Sequence, residues 1–253
     1  MWPALTNPPV VVALFQIKIE APNDKTTLLS KCNREFFKDD FPVCSNNIQV
    51  GLDIGNSKIP LGESKIHTKY NATLGSILYS TKDQRTKLEI SDNSLTYIDE
   101  NEYLGWESFK KNVVNVLLKM DTFIFDYKIV RTSIRFINRF LLPDFDNPSD
   151  YFNTQISTSA STDQINSYPI RQYGFKLQVD VPNTDTYALI NHTVESVGQE
   201  FLYTFDIDVL DRSDIVYNID TIDSKMEHLR EVKNNIFFGT ITEKTQALCN
   251  SKK

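Results

Sequence analysis

The chain has little cysteine and little histidine, and neither is arranged for disulfides or for zinc. The three cysteines leave an odd one over and show no Cys-x-x-Cys spacing: they are Cys32, Cys44 and Cys249. The three histidines are not spaced, with one another or with a cysteine, as zinc ligands are. This pattern fits a reducing compartment better than a disulfide scaffold. We expect a cytoplasmic protein that has no cofactor, apart from a magnesium alternative considered below.

Long apolar runs and clustered charges are also missing. No stretch approaches the roughly 18 consecutive apolar residues of a transmembrane helix, and the first residues lack the basic start and cleavage site of a signal peptide. The formal net charge is −6 without any block of like charges, whereas a general nucleic-acid surface would be basic. We therefore expect no membrane association, and nucleic acid is not expected as a general ligand.

Familiar catalytic motifs do not occur. The sequence contains no Gly-x-Ser-x-Gly, no phosphate-binding P-loop and no His-Glu-x-x-His. Each of these motifs places a nucleophile, a phosphate-binding loop or a pair of zinc ligands at a fixed spacing. Their absence lowers the expectation of an enzyme without removing it, because catalytic residues can also come together only in the folded chain.

The segment RTSIRFINRFLLP, residues 131–143, predicts a strand with one apolar face. Side chains alternate across a strand, so the even-numbered residues from Thr132 to Leu142 share one face, and most of them are apolar. Pro143 ends the strand because it has no backbone N–H to donate. The opposite face carries a row of three arginines, Arg131, Arg135 and Arg139.

This arginine row has two interpretations. Successive arginines would stand about 13 Å apart on a strand, too far to converge on one phosphate. We therefore expect a structural row in which Arg135 pairs with Asp206 or Asp208 of another strand. The alternative is a ligand site that uses Arg135, Arg139 and Asn138. Asn138 lies on the apolar face, where a buried amide needs partners, and we expect it to bind a neighbouring backbone.

The whole chain predicts an α+β fold with a largely antiparallel sheet. Strands follow one another without intervening helices over 65–98, as two strands, and over 170–210, as three. Apolar residues at helical spacing predict helices over 103–120 and 223–249, packed on one face of the sheet. A capping box at Thr240–Glu243 would begin the last short helix. Residues 43–64, rich in Gly, Asn, Ser and Pro, predict a loop with short strands.

The polar, non-periodic stretch 157–167 predicts a linker or mobile loop. It would separate an N-terminal half, residues 1–156, from a C-terminal half, residues 168–253. A single domain is equally compatible with the length. Because each half contains antiparallel strands and an amphipathic helix, the two halves suggest a pseudo-repeat.

Two short motifs point to alternative chemistry. VGLDIGNSK, residues 50–58, is similar to a phosphate-binding hairpin turn, but its companion motifs are missing and a Gly-bounded turn is the better interpretation. FDIDV, residues 205–209, places Asp206 and Asp208 on one strand face about 7 Å apart. Two such carboxylates could hold Mg²⁺ for phosphoryl transfer. The competing interpretation pairs them with the arginine row or leaves them in water.

Several segments together resemble a family of sporadically distributed, uncharacterised prokaryotic proteins of about this length. The matching segments are PPVVVALFQIKI, GWESF, IRFINRFLLP, FDIDV and the C-terminal helix HLREVKNNIFFGTITEKTQAL. The resemblance implies a soluble protein without a named reaction. It also implies a place in mobile accessory genes, such as antiviral defence or toxin–antitoxin modules.

Charge, missing motifs and this resemblance together predict a non-catalytic binding or regulatory protein, such as the immunity or sensor partner in such a cassette. A protein partner is expected, and an oligomer is compatible with the sequence. The alternative is a Mg²⁺-dependent enzyme that processes nucleotides or phosphates through Asp206 and Asp208.

Overall fold

The computed structural model describes residues 2–20, 28–31, 37–54, 68–125, 127–143, 148–153, 164–165, 168–169, 172–198 and 200–250. Its strands are β1 (Val10–Glu20), β2 (Val43–Ile54), β3 (Thr68–Ser80), β4 (Thr86–Ser91), β5 (Ser94–Asp99), β6 (Lys128–Leu142), β7 (Gln164–Ile165), β8 (Tyr168–Pro169), β9 (Gln172–Asp180), β10 (Thr186–Val197), β11 (Glu200–Asp211) and β12 (Ile215–Val216). Its α-helices are α1 (Leu28–Lys31), α2 (Trp106–Ile124), α3 (Ile219–Thr240) and α4 (Glu243–Asn250).

Most of the strands form one large sheet. Its order is β2-β3-β4-β5-β1-β6-β11-β10-β9, with β12 beside β6, while β7 and β8 form a separate pair. Every strand pair in the described residues is antiparallel. The predicted α+β fold with a largely antiparallel sheet is therefore confirmed. The sheet runs through the β6–β11 pair, which joins the two predicted halves, and their pseudo-repeat stays a prediction.

Strand β6 lies near the middle of the sheet and has the predicted alternation. The even-numbered residues from Thr132 to Leu142 are all buried. Three large apolar side chains among them, Ile134, Phe136 and Phe140, belong to the core. Burying each such side chain contributes about 1.5–3 kcal/mol, which is why the strand is held in this register.

Aromatic contacts join the two long helices to the sheet. Phe109 of α2 contacts Phe136 with ring centroids 5.7 Å apart. Phe237 of α3 contacts Phe140 at 6.5 Å and Phe205 of β11 at 6.0 Å. The strand register places these three sheet rings on the same face, which we call the helix face. The opposite face carries Arg131, Arg135 and Arg139, and we call it the arginine face.

The start of α3 is determined by a local cap. The Asn218 side-chain oxygen accepts hydrogen bonds from the backbone N–H groups of Asp220 at 2.9 Å and Thr221 at 3.1 Å. These donors have no partner inside the helix, so an asparagine at this position stabilises the helix end. None of the described helices combines the length and the apolar character that crossing a bilayer requires.

On the N-terminal side, the predictions for two segments were wrong, and a third segment lies outside the described residues. Residues 43–54, predicted as loop with short strands, form the single long strand β2, because β3 pairs with it along its whole length. The predicted second strand within 65–98 is two strands, β4 and β5, since Asp92 and Asn93 form a turn between them. Residues 55–64 lie outside the described residues.

The C-terminal helical segment is interrupted, as the capping box predicts, but at a different residue. Thr242, not Thr240, caps α4: its hydroxyl oxygen accepts from the Thr245 N–H at 3.4 Å. Thr240 is instead the last residue of α3. Of the predicted linker 157–167, Gln164–Ile165 form β7, and the remaining residues lie outside the described part of the chain.

Candidate functional site

An ion pair joins β6 to β11 on the arginine face. Arg135 donates two hydrogen bonds to the Asp206 carboxylate, from Nε to Oδ1 at 2.8 Å and from Nη2 to Oδ2 at 2.6 Å. Asn191 of β10 donates a further one to Oδ2 at 3.1 Å. The prediction that Arg135 binds the acidic strand is confirmed, and the structure selects Asp206 from the two candidates.

The strand register shows how Asp206 and Asp208 are placed relative to Arg135. Asp208 stands directly opposite Arg135, whereas Asp206 stands opposite Ile137 and is a diagonal neighbour. A long arginine side chain reaches the diagonal position. Its hydrogen bonds with Asp206 raise the pKa of Arg135. Burial raises the pKa of Asp208 to about 6, although the positive charge of Arg135 opposes this shift.

The other two arginines lie in different surroundings. Arg131 donates from Nη2 to the Gln16 side-chain oxygen on β1, while its buried Nε has no hydrogen-bond partner among the residues that the structure describes. Arg139 is exposed and lines a small cavity of about 320 Å³ near the end of α4. The arginines therefore do not converge. Asn138 lies on the helix face, so the structure does not bring the predicted ligand residues Arg135, Arg139 and Asn138 together in one site.

The alternative magnesium site has few available ligands. Both oxygens of Asp206 accept hydrogen bonds from Arg135, and the pair with Asp208 would need further oxygen ligands to fill the coordination of Mg²⁺. Over the described ranges, no group of three or more His, Cys, Asp or Glu side chains is placed to hold a metal ion.

A large cavity lies at the helix face. It has a volume of about 790 Å³ and is bounded by the N-terminal segment, the start of α2 and α3. Small-molecule sites usually have volumes of roughly 300–1,000 Å³. Five aromatic residues line it: Trp2, Tyr103, Trp106, Phe237 and Phe238. Its polar lining consists of Asn138, Glu227, His228, Arg230, Glu231, Lys233 and Asn234.

Lys233 is the unusual charged group of this cavity. Its ammonium nitrogen lies 4.5 Å from the centre of the Phe136 ring, which contacts Tyr103 at 5.6 Å. No residue in the described part of the chain forms an ion pair or a hydrogen bond with this nitrogen. Burial, together with the positive charge of Arg230, lowers the pKa of Lys233 to about 7.

Glu227, a carboxylate in the lining of the same cavity, already accepts hydrogen bonds from three other residues. It accepts hydrogen bonds from Trp106 Nε1 at 2.8 Å, from Lys110 Nζ at 2.7 Å and from Arg230 Nη1 at 3.1 Å. Burial alone would raise the pKa of Glu227, but the hydrogen bonds from Lys110 and Trp106 lower it. Glu227 is therefore an ionised carboxylate that ties α2 to α3 and does not pair with Lys233.

Two buried amides also reach this cavity. Asn138 donates from Nδ2 to the backbone oxygen of Phe205 at 3.0 Å, which confirms that it binds a neighbouring backbone. No described residue donates a hydrogen bond to its amide oxygen. Asn234 is buried, and its side chain has no hydrogen-bond partner in the described ranges. Both residues line the cavity, so their amide groups are available to a ligand or to water there.

Lys233 and Asn234 are absent from the site residues that the sequence predicted. Lys233 follows Leu229 by four residues and precedes Phe237 by four, and both of these are buried. Residues four apart stack on one side of a helix, so the lysine lies within an apolar stripe. A lysine at such a position is the signal in the sequence that could have identified the cavity.

The phosphate-loop motif remains without structural support. Residues 50–54 continue strand β2, and residues 55–58 lie outside the described part of the chain. The resemblance to a prokaryotic family stays a prediction, because comparisons of the chain with protein-family models, with curated proteins and with solved structures find no match.

Proposed function

We propose that this chain is a non-catalytic binding protein and that the cavity beside Lys233 binds a small anionic molecule. The observation that carries the proposal is an ammonium group that lies over the Phe136 ring, lines the cavity and has no acidic partner among the described residues. Removing an ammonium from water is costly unless a counter-charge compensates it. A bound anion would supply that charge.

The rest of the lining supports a ligand with a flat apolar body. The rings of Trp106 and Tyr103 line the cavity, and so do Trp2 and Phe238, which stack on each other with ring centroids 5.4 Å apart. Such rings favour contact with an apolar or aromatic skeleton. The amides of Asn138 and Asn234 offer hydrogen bonds that would orient it.

Binding of matched probes tests the proposal. We expect 2-naphthoate to bind more tightly than the neutral 2-naphthamide, by about tenfold or more, since a close charge pair in a partly buried site is worth at least about 1.4 kcal/mol. Isothermal titration with the full chain measures both affinities. Lys233→Met should clearly reduce the preference for the acid, whereas Lys111→Met, at an exposed position of α2, should retain it in full.

Two results would overturn this proposal. One is the absence of 2-naphthoate binding at millimolar concentration, and the other is an unchanged preference for the acid in Lys233→Met. The magnesium-dependent alternative would require heat on titration with Mg²⁺ and ATP that Asp208→Asn removes. It is the weaker candidate, because Arg135 occupies Asp206.

The cellular setting remains part of the proposal. Cys44 and Cys249 are free thiols, which supports a reducing cytoplasm. A protein partner within an antiviral defence or toxin–antitoxin cassette is still proposed from the resemblance alone, and the cavity proposal does not depend on it.

A further inference from the structure

We propose that the Lys233 amine captures a small aldehyde or ketone that also carries an acidic group, by forming an imine inside the aromatic cavity. This inference rests on the proposed function, because it assigns the chemical class of the ligand to that same cavity. It adds a covalent, reversible step to simple anion binding.

The surroundings of Lys233 are those of a nucleophilic amine. An amine must be neutral and must have a free lone pair to attack a carbonyl carbon. No described group holds the Lys233 nitrogen in a hydrogen bond or an ion pair. Burial and the nearby Arg230 charge keep a large share of this amine neutral near pH 7. A lysine desolvated beside another cation is a recognised route to such reactivity.

Other groups of the cavity suit the acidic end of the ligand. Arg230 lines the cavity, lies over the Trp106 ring at 5.3 Å and is 36% exposed, so it is a second cation that an acidic group in the cavity would meet. Its present acidic partners are Glu227 at 3.1 Å and Glu107 at 3.6 Å. His228 and Glu231 are the remaining titratable groups of α3 that line the cavity, and His228 is within 3.2 Å of the Thr186 hydroxyl.

The proposed step balances without an oxidant or reductant. The amine nitrogen attacks the carbonyl carbon, a nitrogen–carbon bond forms, and a carbinolamine results. The carbonyl oxygen then leaves as water with both hydrogens of the neutral amine, and a carbon–nitrogen double bond remains. Addition of water reverses the reaction. The cavity also contains the amide oxygen of Asn138, a hydrogen-bond acceptor of the kind that the N–H of a protonated imine needs.

Reductive trapping with 4-formylbenzoate tests the inference. The probe is mixed at limiting concentration with the full chain and cyanoborohydride at pH 7, and the modified lysine is identified by peptide mass spectrometry. An ordinary lysine is less than about 0.1% neutral at this pH. We therefore expect Lys233 to be modified at least about tenfold faster than any other lysine, and excess 2-naphthoate to protect it.

A charge-conserving variant separates this inference from the proposed function. Lys233→Arg retains a cation but cannot form an imine, so it should bind 2-naphthoate and should not be modified. Modification spread evenly over surface lysines would overturn the inference. If 2-naphthoate binding depends on Lys233 but trapping fails, the inference is wrong and the proposed function stands. If Lys233 is modified but the chain binds 2-naphthoate no more tightly than 2-naphthamide, the proposed function and the acidic ligand class are both wrong.

Discussion

Arg135 and Asp206 form a bidentate ion pair across neighbouring antiparallel strands, with one partner far more buried than the other. The Asp206 side chain is 9% exposed, whereas that of Arg135 is 41% exposed. The pair is thus neither a freely solvated surface contact nor a fully buried one. Removal of Arg135 alone would leave the nearly buried Asp206 carboxylate without its cation. Asp208 is a second acidic group close to the same arginine.

The first prediction compares two arginines of the same row. We expect Arg135→Ala to lower the free energy of unfolding by about 1–3 kcal/mol, between the values for exposed and for buried pairs. Arg131→Ala should cost less than about 1 kcal/mol, because Arg131 bonds to the neutral Gln16 and stands opposite Lys18. Urea denaturation of both variants measures the difference. Equal and negligible losses would contradict a structural role for Arg135.

A double-mutant cycle isolates the pair itself. Asp206→Asn removes the negative charge but keeps an oxygen that can accept from Asn191. If Arg135 acts through Asp206, the combined variant should lose less stability than the sum of the two single variants, by about 0.5–3 kcal/mol. Strict additivity would show that the two side chains do not stabilise each other.

The second prediction concerns Asp208 and pH. Burial raises its pKa from an ordinary value of 3.8 to about 6 in the folded protein, so the folded state keeps a proton that the unfolded chain releases. The free energy of unfolding should therefore fall as the pH rises from about 4 to about 6. Asp208→Asn removes this loss and should be more stable than the parent by about 1–2 kcal/mol at pH 7.5. Denaturation at pH 4.5 should show a smaller difference.

The matched control for this measurement is Asp185→Asn, at an exposed position between β9 and β10. Its stability relative to the parent should not change across the same pH range by more than about 0.5 kcal/mol. The second prediction would be contradicted if the stability of the parent rises steadily from pH 4 to pH 7 and Asp208→Asn has the same pH dependence as the parent.

The third prediction has the opposite dependence on pH. Burial lowers the pKa of Lys233 from an ordinary value of 10.5 to about 7 in the folded state, so the unfolded chain binds the proton more tightly. The free energy of unfolding should rise as the pH increases from about 7 towards 10. Lys233→Met should exceed the parent in stability by about 1–3 kcal/mol at pH 7, because it removes a desolvated cation.

The advantage of Lys233→Met should become smaller at pH 9, where less free energy is needed to deprotonate the lysine. Lys111→Met provides the comparison, since its side chain is exposed on α2. A lower stability of Lys233→Met at pH 7 would show that the contact of the ammonium with Phe136 outweighs the cost of its burial.

The fourth prediction contrasts two glycines. A Cβ atom at Gly174 of β9 would lie 2.7 Å from the backbone oxygen of His192, whereas one at Gly239 of α3 would meet no atom within 4 Å. Gly174→Ala should therefore cost about 1–3 kcal/mol. Gly239→Ala should stabilise the protein by about 0.5–1 kcal/mol, because alanine favours a helix. Thermal melts of both variants check the signs, and a stabilised Gly174→Ala would mean that β9 moves away freely.

The local pattern of the sequence determined the elements and their faces. Alternation of apolar residues predicted which side of β6 is buried, and helical spacing predicted α2, because burial of a face imposes the period of the element on the sequence. Turn signals were weaker, so the separation of β4 from β5 at Asp92 and Asn93 was missed. The length of β2 was missed because pairing with β3 outweighs its unfavourable composition.

The tertiary structure alone decided which residues meet. The two-residue period of Asp206 and Asp208 made either one a partner for Arg135, and only the register of β6 against β11 selected the diagonal carboxylate. Lys233 lies on Phe136 because α3 crosses β6 at that point, almost a hundred residues away along the chain. Such contacts depend on how elements pack, and no local period in the sequence records them.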